Sequence, residues 1–212
     1  YRQCDDHLEL DHVWKADVIR KNLETSLQRL KTDVIDILQF HGGNAETLQR
    51  EGLIELLLSF REAGLVRFIG ISSSLPNLPA LIDLGVFDTF QIPFSCLAPQ
   101  HHDLITRAAQ SGAGIIIRGG IAQGGPDAAI QRPALNDIWN QAKLDELLPE
   151  KMTRAELILR YTLSNPHFHT TIVGTCNPQH LSDNIVATTA GPLPEELRRN
   201  IDARVTSVLV TP

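Results

Sequence analysis

Four stretches of this chain combine polar or titratable side chains with flanks that would fix them in space. The apolar run Val34-Ile-Asp-Ile-Leu-Gln-Phe40 ends on His41-Gly42-Gly43. A neutral imidazole where a buried strand stops is an N–H donor suited to orienting a carbonyl oxygen. Ser72 and Ser73 close the run Phe68-Ile-Gly-Ile71, and Gln91 lies inside Thr89-Phe-Gln-Ile-Pro-Phe94. Small hydroxyl and amide groups there match a carboxamide, which offers one acceptor and two donors. Arg118-Gly-Gly-Ile-Ala-Gln-Gly-Gly125 follows Gly114-Ile-Ile-Ile117 directly. Backbone amides in such a loop can approach a pyrophosphate while the arginine stacks on a ring or pairs with phosphate. In the fourth stretch, Thr171 to Ile185, Pro178 marks a first helical turn, and a helix N-terminus favours an anion. Each stretch also has a plain structural reading: a histidine capping a strand, serine-rich turn chemistry, a loop, a helix start. Neither a G-x-G-x-x-G fingerprint nor a P-loop is present.

The elements that must carry these residues alternate. Val34–Phe40, Phe68–Ile71, Thr89–Phe94, Gly114–Ile117 and Thr170–Val173 are short β-branched or aromatic runs bounded by Gly, Pro, Ser or Asp, and each predicts a buried strand. Helical patterns fall between them, over Ala16–Leu30, Ala45–Ala63, Leu78–Leu84, His101–Ser111 and Thr153–Ser164. Gly64 and Gly112 follow helices, Asn165-Pro166 ends another, and Thr153 with Glu156 forms a capping box. Gly124–Pro149 is longer than a plain connection and is expected to be an insertion at the mouth of the fold, with Trp139 available to line a pocket. Leu193–Val208 predicts a final amphipathic helix. Strand alternating with helix indicates a single α/β domain with a parallel sheet.

Composition narrows the partners. The 212 residues carry a formal charge of −6, with 19 dispersed Lys and Arg, so nucleic acid is not expected. No apolar run reaches the ~18 residues of a membrane span, and the start lacks a basic region followed by an apolar one. Cys4, Cys96 and Cys176 are odd in number and far apart, which predicts reduced thiols in a cytoplasmic protein, without a disulfide or zinc framework. His101-His102 and His167-x-His169 lack acidic or thiol partners nearby in sequence and are expected to be surface histidines, so no metal site is assigned. Asp5 to His12 reads as a solvated loop, and Asp33 and Asp36 as structural residues.

The ensemble of Leu38-Gln-Phe-His41, Arg67-Phe-Ile-Gly-Ile-Ser-Ser73, the 114–125 segment and Thr171-Ile-Val-Gly-Thr-Cys-Asn-Pro-Gln-His-Leu-Ser-Asp-Asn-Ile185 resembles the aldo-keto reductases. The resemblance implies an eight-stranded parallel βα barrel, here incomplete, with about five βα units and the first three missing. It implies hydride reduction of an aldehyde or ketone, NADP(H) or NAD(H) as cofactor, and a small-molecule carbonyl substrate. By that resemblance His41 is catalytic, while Ser72, Ser73 and Gln91 hold the nicotinamide carboxamide. Arg118, Gly119, Ile121, Ala122, Gln123 and Gly125 line the cofactor, and Gly174, Thr175, Asn177, His180, Asp183 and Asn184 receive its adenosine phosphate end. The family's usual Ser-Asn stands here as Ser72-Ser73, and Gly174 and His180 replace a Lys and an Arg that many members carry. The tyrosine proton donor, with its supporting aspartate and lysine, would fall ahead of Tyr1. Three readings therefore stand side by side: the C-terminal part of a carbonyl reductase, a non-catalytic nucleotide-binding or subunit protein on the same scaffold, and an unrelated parallel α/β enzyme of phosphate chemistry. Open strand edges predict self-association or pairing with a complementing N-terminal segment.

Overall fold

The computed structural model describes residues 14–126 and 133–210, so the acidic stretch from Asp5 to His12 and Cys4 lie outside the described residues. Five strands are hydrogen-bonded in chain order: β1 (Ile35–His41), β2 (Val66–Ser72), β3 (Thr89–Pro93), β4 (Gly114–Arg118) and β5 (Thr170–Ile172). The β1–β2, β2–β3 and β4–β5 ladders are parallel. Helix α1 (Ala16–Leu30) precedes β1. Between strands run α2 (Ala45–Arg50) with α3 (Leu53–Glu62), α4 (Leu78–Asp83), α5 (His102–Gln110), and α6 (Pro133–Gln141) with α7 (Arg154–Leu163); α8 (Pro178–Thr189) and α9 (Glu195–Val210) follow β5. Parallel neighbours need such crossovers, and the five strands appear in the predicted order with helices between them. Among the described residues β1 and β5 are the outer strands of this order.

The described chain divides into two compact units. The first runs to Gln91 and includes Gly112–Gly114. Its strands bury one face: Phe40, Ile69, Ile71 and Phe90 share a core with Leu48, Leu53, Leu57, Phe60, Leu78 and Leu81 of the helices. On the opposite face Ile37 and Phe68, which are register partners, stay 39% and 45% exposed. The Asp88 carboxylate accepts the Ile69 N–H at 2.8 Å and an Arg61 N–H at 3.1 Å, and the Asp88 carbonyl accepts the Gly114 N–H at 2.8 Å, tying the chain before β3 to β2 and to the start of β4. The single helix expected over Ala45–Ala63 is two helices, because Gly52 adopts φ 63°, a left-handed conformation that no helix continues through.

The second unit holds Ile92–Ser111 and the chain from Ile115 onward. Ile115, Ile117, Ile105, Ile158, Leu159, Ile201 and Val205 are among its buried apolar residues. Thr153 Oγ1 accepts the Glu156 N–H at 3.1 Å, as the capping pattern predicts, while the Glu156 side chain turns instead to Arg160 at 3.1 Å. Tyr161 donates its hydroxyl to the Asp202 carboxylate, which Arg198 also contacts at 2.9 Å, so α7 and α9 are joined through a half-buried polar network. Burial and the charge of Asp202 raise the Tyr161 pKa far above its ordinary value. Burial likewise pushes the Cys96 thiol up to about 12, leaving it inert, whereas Cys176 is exposed.

The described part of the 124–149 segment is packed structure. Trp139 has no exposed surface, so it does not line a pocket as expected. Its indole N–H donates to Asp145 Oδ1 at 3.1 Å, Arg154 grips both carboxylate oxygens of Asp145 at 2.8 Å, and the Arg154 guanidinium lies 5.5 Å from the Trp139 ring centre. Nearby, Arg204 bonds the Lys143 carbonyl at 2.7 Å and Glu146 at 2.9 Å. A tryptophan bonded to an acid and lying under the arginine that grips that acid is anchored in its own clasp. The Arg154 hydrogen bond is the main cause holding the Asp145 pKa below the ordinary carboxylate value, with the Trp139 bond adding to it against a burial effect of opposite sign.

A carboxylate whose folded pKa is depressed stabilises above its unfolded pKa, and that stabilisation is lost as pH falls through the folded value. Asp145→Asn is therefore expected to lower the melting temperature at neutral pH by an amount corresponding to less than about 2 kcal/mol, since the pair is partly solvent-screened. The difference from the parent protein should shrink below about pH 4, read by calorimetry across a pH series.

Candidate active site and coenzyme loops

In the first unit, parallel register sets the site in rows. His41 pairs with Ser72 and Ser72 with Gln91, so three side chains from three strands stand at one height on one face. The row is held at its end by the Gly42 N–H on the Ser72 carbonyl at 3.0 Å and the Ser73 N–H on the Gln91 carbonyl at 3.1 Å. The chain then turns sharply away from His41. Gly43 has φ 86°, and a Cβ there would lie 2.8 Å from Leu48 Cδ1, so only glycine fits the turn that leaves the imidazole at the strand's end, where it is exposed. Ser72 and Ser73 are each 7% exposed, and Gln91 is half-buried. Ser73 lies one residue past the strand, and its hydroxyl makes only a long 3.5 Å contact to the Ser74 carbonyl.

Two residues earlier on each strand lies a second row, Gln39, Gly70 and Thr89, absent from the sequence reading. Both polar atoms of the Gln39 amide and the Thr89 hydroxyl are buried and have no hydrogen-bond partner among the described residues. A Cβ on Gly70 would overlap Thr89 Oγ1 and come within 3.0 Å of the Gln39 amide carbon. The period of two on β1 carries the signal for this row, since Gln39 must share the face of His41.

In the second unit, Arg118 ends β4 half-buried, and its Nε is a buried donor without a partner among the described residues. Such an orphaned cationic donor fits an anion or a polar ring. Burial, and then the charge of Arg118, lower the pKa of His101, which is 3% exposed; the expectation of a surface histidine fails there because the α5 N-terminal turn packs inward. The loop after Arg118 is pinned at Gly120. Thr162 donates its hydroxyl to the Gly120 carbonyl at 2.9 Å, and a Cβ on Gly120 would overlap Thr171 Oγ1. Gly119 has φ 72°, and Ile121 leads into a 3-10 turn over Ala122–Gly124 that includes Gln123. The N–H groups of Ala122 and Gly125 bond inside that turn, to Gly119 and Ala122, so these two residues shape the loop with their backbones instead of presenting amides outward.

After β5, Gly174, Thr175, Asn177, His180 and Asp183 are exposed and Asn184 is half-buried. Asn177 is the helix cap: its Oδ1 accepts the Gln179 N–H at 2.9 Å, while its own N–H goes to Thr175 Oγ1 at 3.1 Å. Asp183 Oδ1 accepts from the Gln179 amide at 2.8 Å. Elsewhere in this unit, His169 Nδ1 accepts the Ile115 N–H at 2.9 Å and His102 contacts Asn165 at 3.1 Å, so both pairs of histidines have structural partners. Among the described residues no group of three metal-ligating side chains occurs, and no helix is long and apolar enough to cross a membrane.

The described chain is thus of the α/β class, a parallel sheet with alternating helices in which a histidine, a serine and a glutamine stand in register at strand ends. The family model for the Aldo/keto reductase family matches residues 11–205, and the chain belongs to that family. It is 27% identical to the "Uncharacterized oxidoreductase YqkF" of Bacillus subtilis over 192 residues, which cover 84% of this chain and 62% of that protein. It is 25% identical to the L-galactose dehydrogenase of Arabidopsis thaliana over 197 residues, 83% of this chain and 59% of that one. The holo form of the aldo-keto reductase AKR11C1 from Bacillus halodurans superposes with a TM-score of 0.79 at 27% identity, over 91% of this chain and 69% of that structure. The chain thus spans about three fifths of the length of these curated relatives.

The Gly120 contacts yield a test. Gly120→Ala is expected to destabilise by about 1–3 kcal/mol through overpacking against Thr171. The double variant Gly120→Ala/Thr171→Ala should recover most of the loss. Thermal or urea unfolding of the three variants measures the coupling.

Proposed function

We propose that the protein containing this chain is an NAD(P)H-dependent carbonyl reductase acting on a small aldehyde or ketone in the cytoplasm. The observation that carries this reading is the His41–Ser72–Gln91 row, an imidazole flanked by a hydroxyl and a carboxamide on one open face of three parallel strands. Membership of the Aldo/keto reductase family supports it. The residues present fit a nicotinamide dinucleotide. The hydroxyl and amide of the row match a carboxamide, and the unpartnered Arg118 Nε fits a negatively charged or polar-ring group.

When bound, the reduced nicotinamide supplies a hydride to the carbonyl carbon, while the carbonyl oxygen takes up a proton to give the alcohol. His41 contributes by donating a hydrogen bond to the carbonyl oxygen, fixing its orientation and favouring negative charge there. Ser72 and Gln91 would hold the nicotinamide carboxamide. Thr162, through the Gly120 carbonyl, keeps the loop after β4 in the shape that leaves Arg118 at its base.

A second reading has its own observation. Among the described residues the tyrosine hydroxyl is the one at Tyr161, buried and given to Asp202, which leaves it unable to donate a proton to substrate. This supports a chain that binds nucleotide without turnover unless a complementing segment or a second copy supplies the donor.

Calorimetric titration with NADH and NADPH, paired with reduced-coenzyme oxidation on a panel of aldehydes and ketones, separates the two. His41→Ala is expected to lower carbonyl reduction by about 10²-fold or more while coenzyme affinity changes by less than about threefold. Coenzyme binding with no turnover on any carbonyl favours the non-catalytic reading.

A further inference from the structure

The second unit holds a cavity of about 270 Å³ bounded by the turn before α5, the end of α7 and one side of α9. None of its lining residues takes part in the carbonyl chemistry above, and His41, Ser72 and Gln91 belong to the first unit. Its volume is just under the ~300–1,000 Å³ of most ligand pockets, so it suits a small molecule. We propose that this cavity is a binding site for a neutral polyol of monosaccharide size, which lays a C–H face on the aromatic floor and directs its hydroxyls to α9.

The lining divides into an apolar part and a polar part. Phe94 and Pro99 contribute apolar surface, and the Phe94 ring lies nearly parallel to that of Tyr161, at 11° with centres 6.3 Å apart. The electron-rich face of an aromatic ring attracts the C–H bonds of a saturated ring. Opposite these, Arg198, Asp202 and Thr206 stand at i, i+4 and i+8 of α9 and so share one side of that helix. Asp202 accepts the Tyr161 hydroxyl on one oxygen and an Arg198 N–H at 2.9 Å on the other, which leaves a further acceptor site on each oxygen. Arg198 retains its remaining guanidinium donors, and the exposed Thr206 hydroxyl adds one donor and one acceptor. Asn165, whose amide contacts His102 at 3.1 Å, completes the polar lining. The Arg198–Asp202 pair does little for α9 itself: arginine sits in the first turn, against the helix dipole, and precedes its acid in the less favourable order. Net charge within the lining is close to zero, because Arg198 and Asp202 offset each other. An anionic ligand would meet the Asp202 carboxylate and an ammonium the Arg198 guanidinium. Neighbouring hydroxyls, which donate and accept together, match both groups at once.

Titration of the isotope-labelled protein, followed by amide NMR shifts, tests this with D-glucose, D-galactose and myo-inositol as neutral probes and glucuronate and glucosamine as charged counterparts. The expected result is saturable shifts at the Asn165 side-chain amide and along 198–206, with a Kd on the order of millimolar for at least one neutral probe. The charged counterparts should bind at least about threefold more weakly. Thr206→Val, at an exposed position, should raise that Kd by about threefold or more with the melting temperature unchanged. Arg198→Lys, which keeps the charge beside Asp202 but loses the planar donors, should raise it by about tenfold. His41→Ala should leave the shifts as they are, because the site does not depend on the coenzyme reading. The proposal is overturned by the absence of saturable shifts with every neutral probe at about 0.1 M. Tighter binding of a charged counterpart, or a Kd that neither Thr206→Val nor Arg198→Lys alters, overturns it equally.

Discussion

Parallel pairing of β1, β2 and β3 is the constraint on which the candidate active site depends. In a parallel ladder, hydrogen-bonded partners point to the same side, so a register fixed at Ile37–Phe68 and Gly70–Thr89 also fixes His41, Ser72 and Gln91 as neighbours. A slip of one residue on any strand would send one of the three to the helix side. Asp88 protects that register from below by joining the backbones of Ile69 and Gly114, and Gly70 protects it from within, because no side chain fits between Thr89 and the Gln39 amide.

The second unit uses side chains to fix backbone. Thr162 holds the Gly120 carbonyl, Arg160 gathers the carbonyls after α8, and Asn177 caps that helix. Thr162 and Arg160 bind no ligand in the proposed chemistry, yet each, like the Asn177 cap, sets where a loop or a helix end lies. The Asp145 clasp does the same for the segment around Trp139, converting a tryptophan expected at a pocket into core. Most buried polar side chains are hydrogen-bonded; among the described residues the exceptions include Arg118 Nε, the Gln39 amide and Thr89 hydroxyl on the face of His41, Ser72 and Gln91, and also Thr106 Oγ1 and Asn136 Oδ1.

Strand and helix positions were legible because short β-branched runs bounded by Gly, Pro or Asp leave few alternatives. The prediction for α1 coincides with Ala16–Leu30, and each expected strand overlaps an observed one. The break at Gly52 was not legible, since an apolar periodicity runs through it and only the backbone conformation ends the helix. His101 was misjudged as surface for a related reason: adjacent histidines look alike in sequence, while one points into the core at 3% exposure and the other outward.

By itself the sequence determined which residues can do chemistry and the order of the elements that carry them, because residue type and local periodicity are properties of neighbours along the chain. His41 at a strand end, the glycine-rich loop after Arg118, and a helix start without a permanent cation are all of this kind. Tertiary structure alone decided the pairings between distant positions. These include the common row of His41, Ser72 and Gln91, the pin from Thr162 to Gly120, and the burial of Trp139 and Tyr161 with Asp145 and Asp202. Such contacts join residues far apart in the chain, and no local pattern encodes which partner a polar side chain meets once the hydrophobic faces have packed.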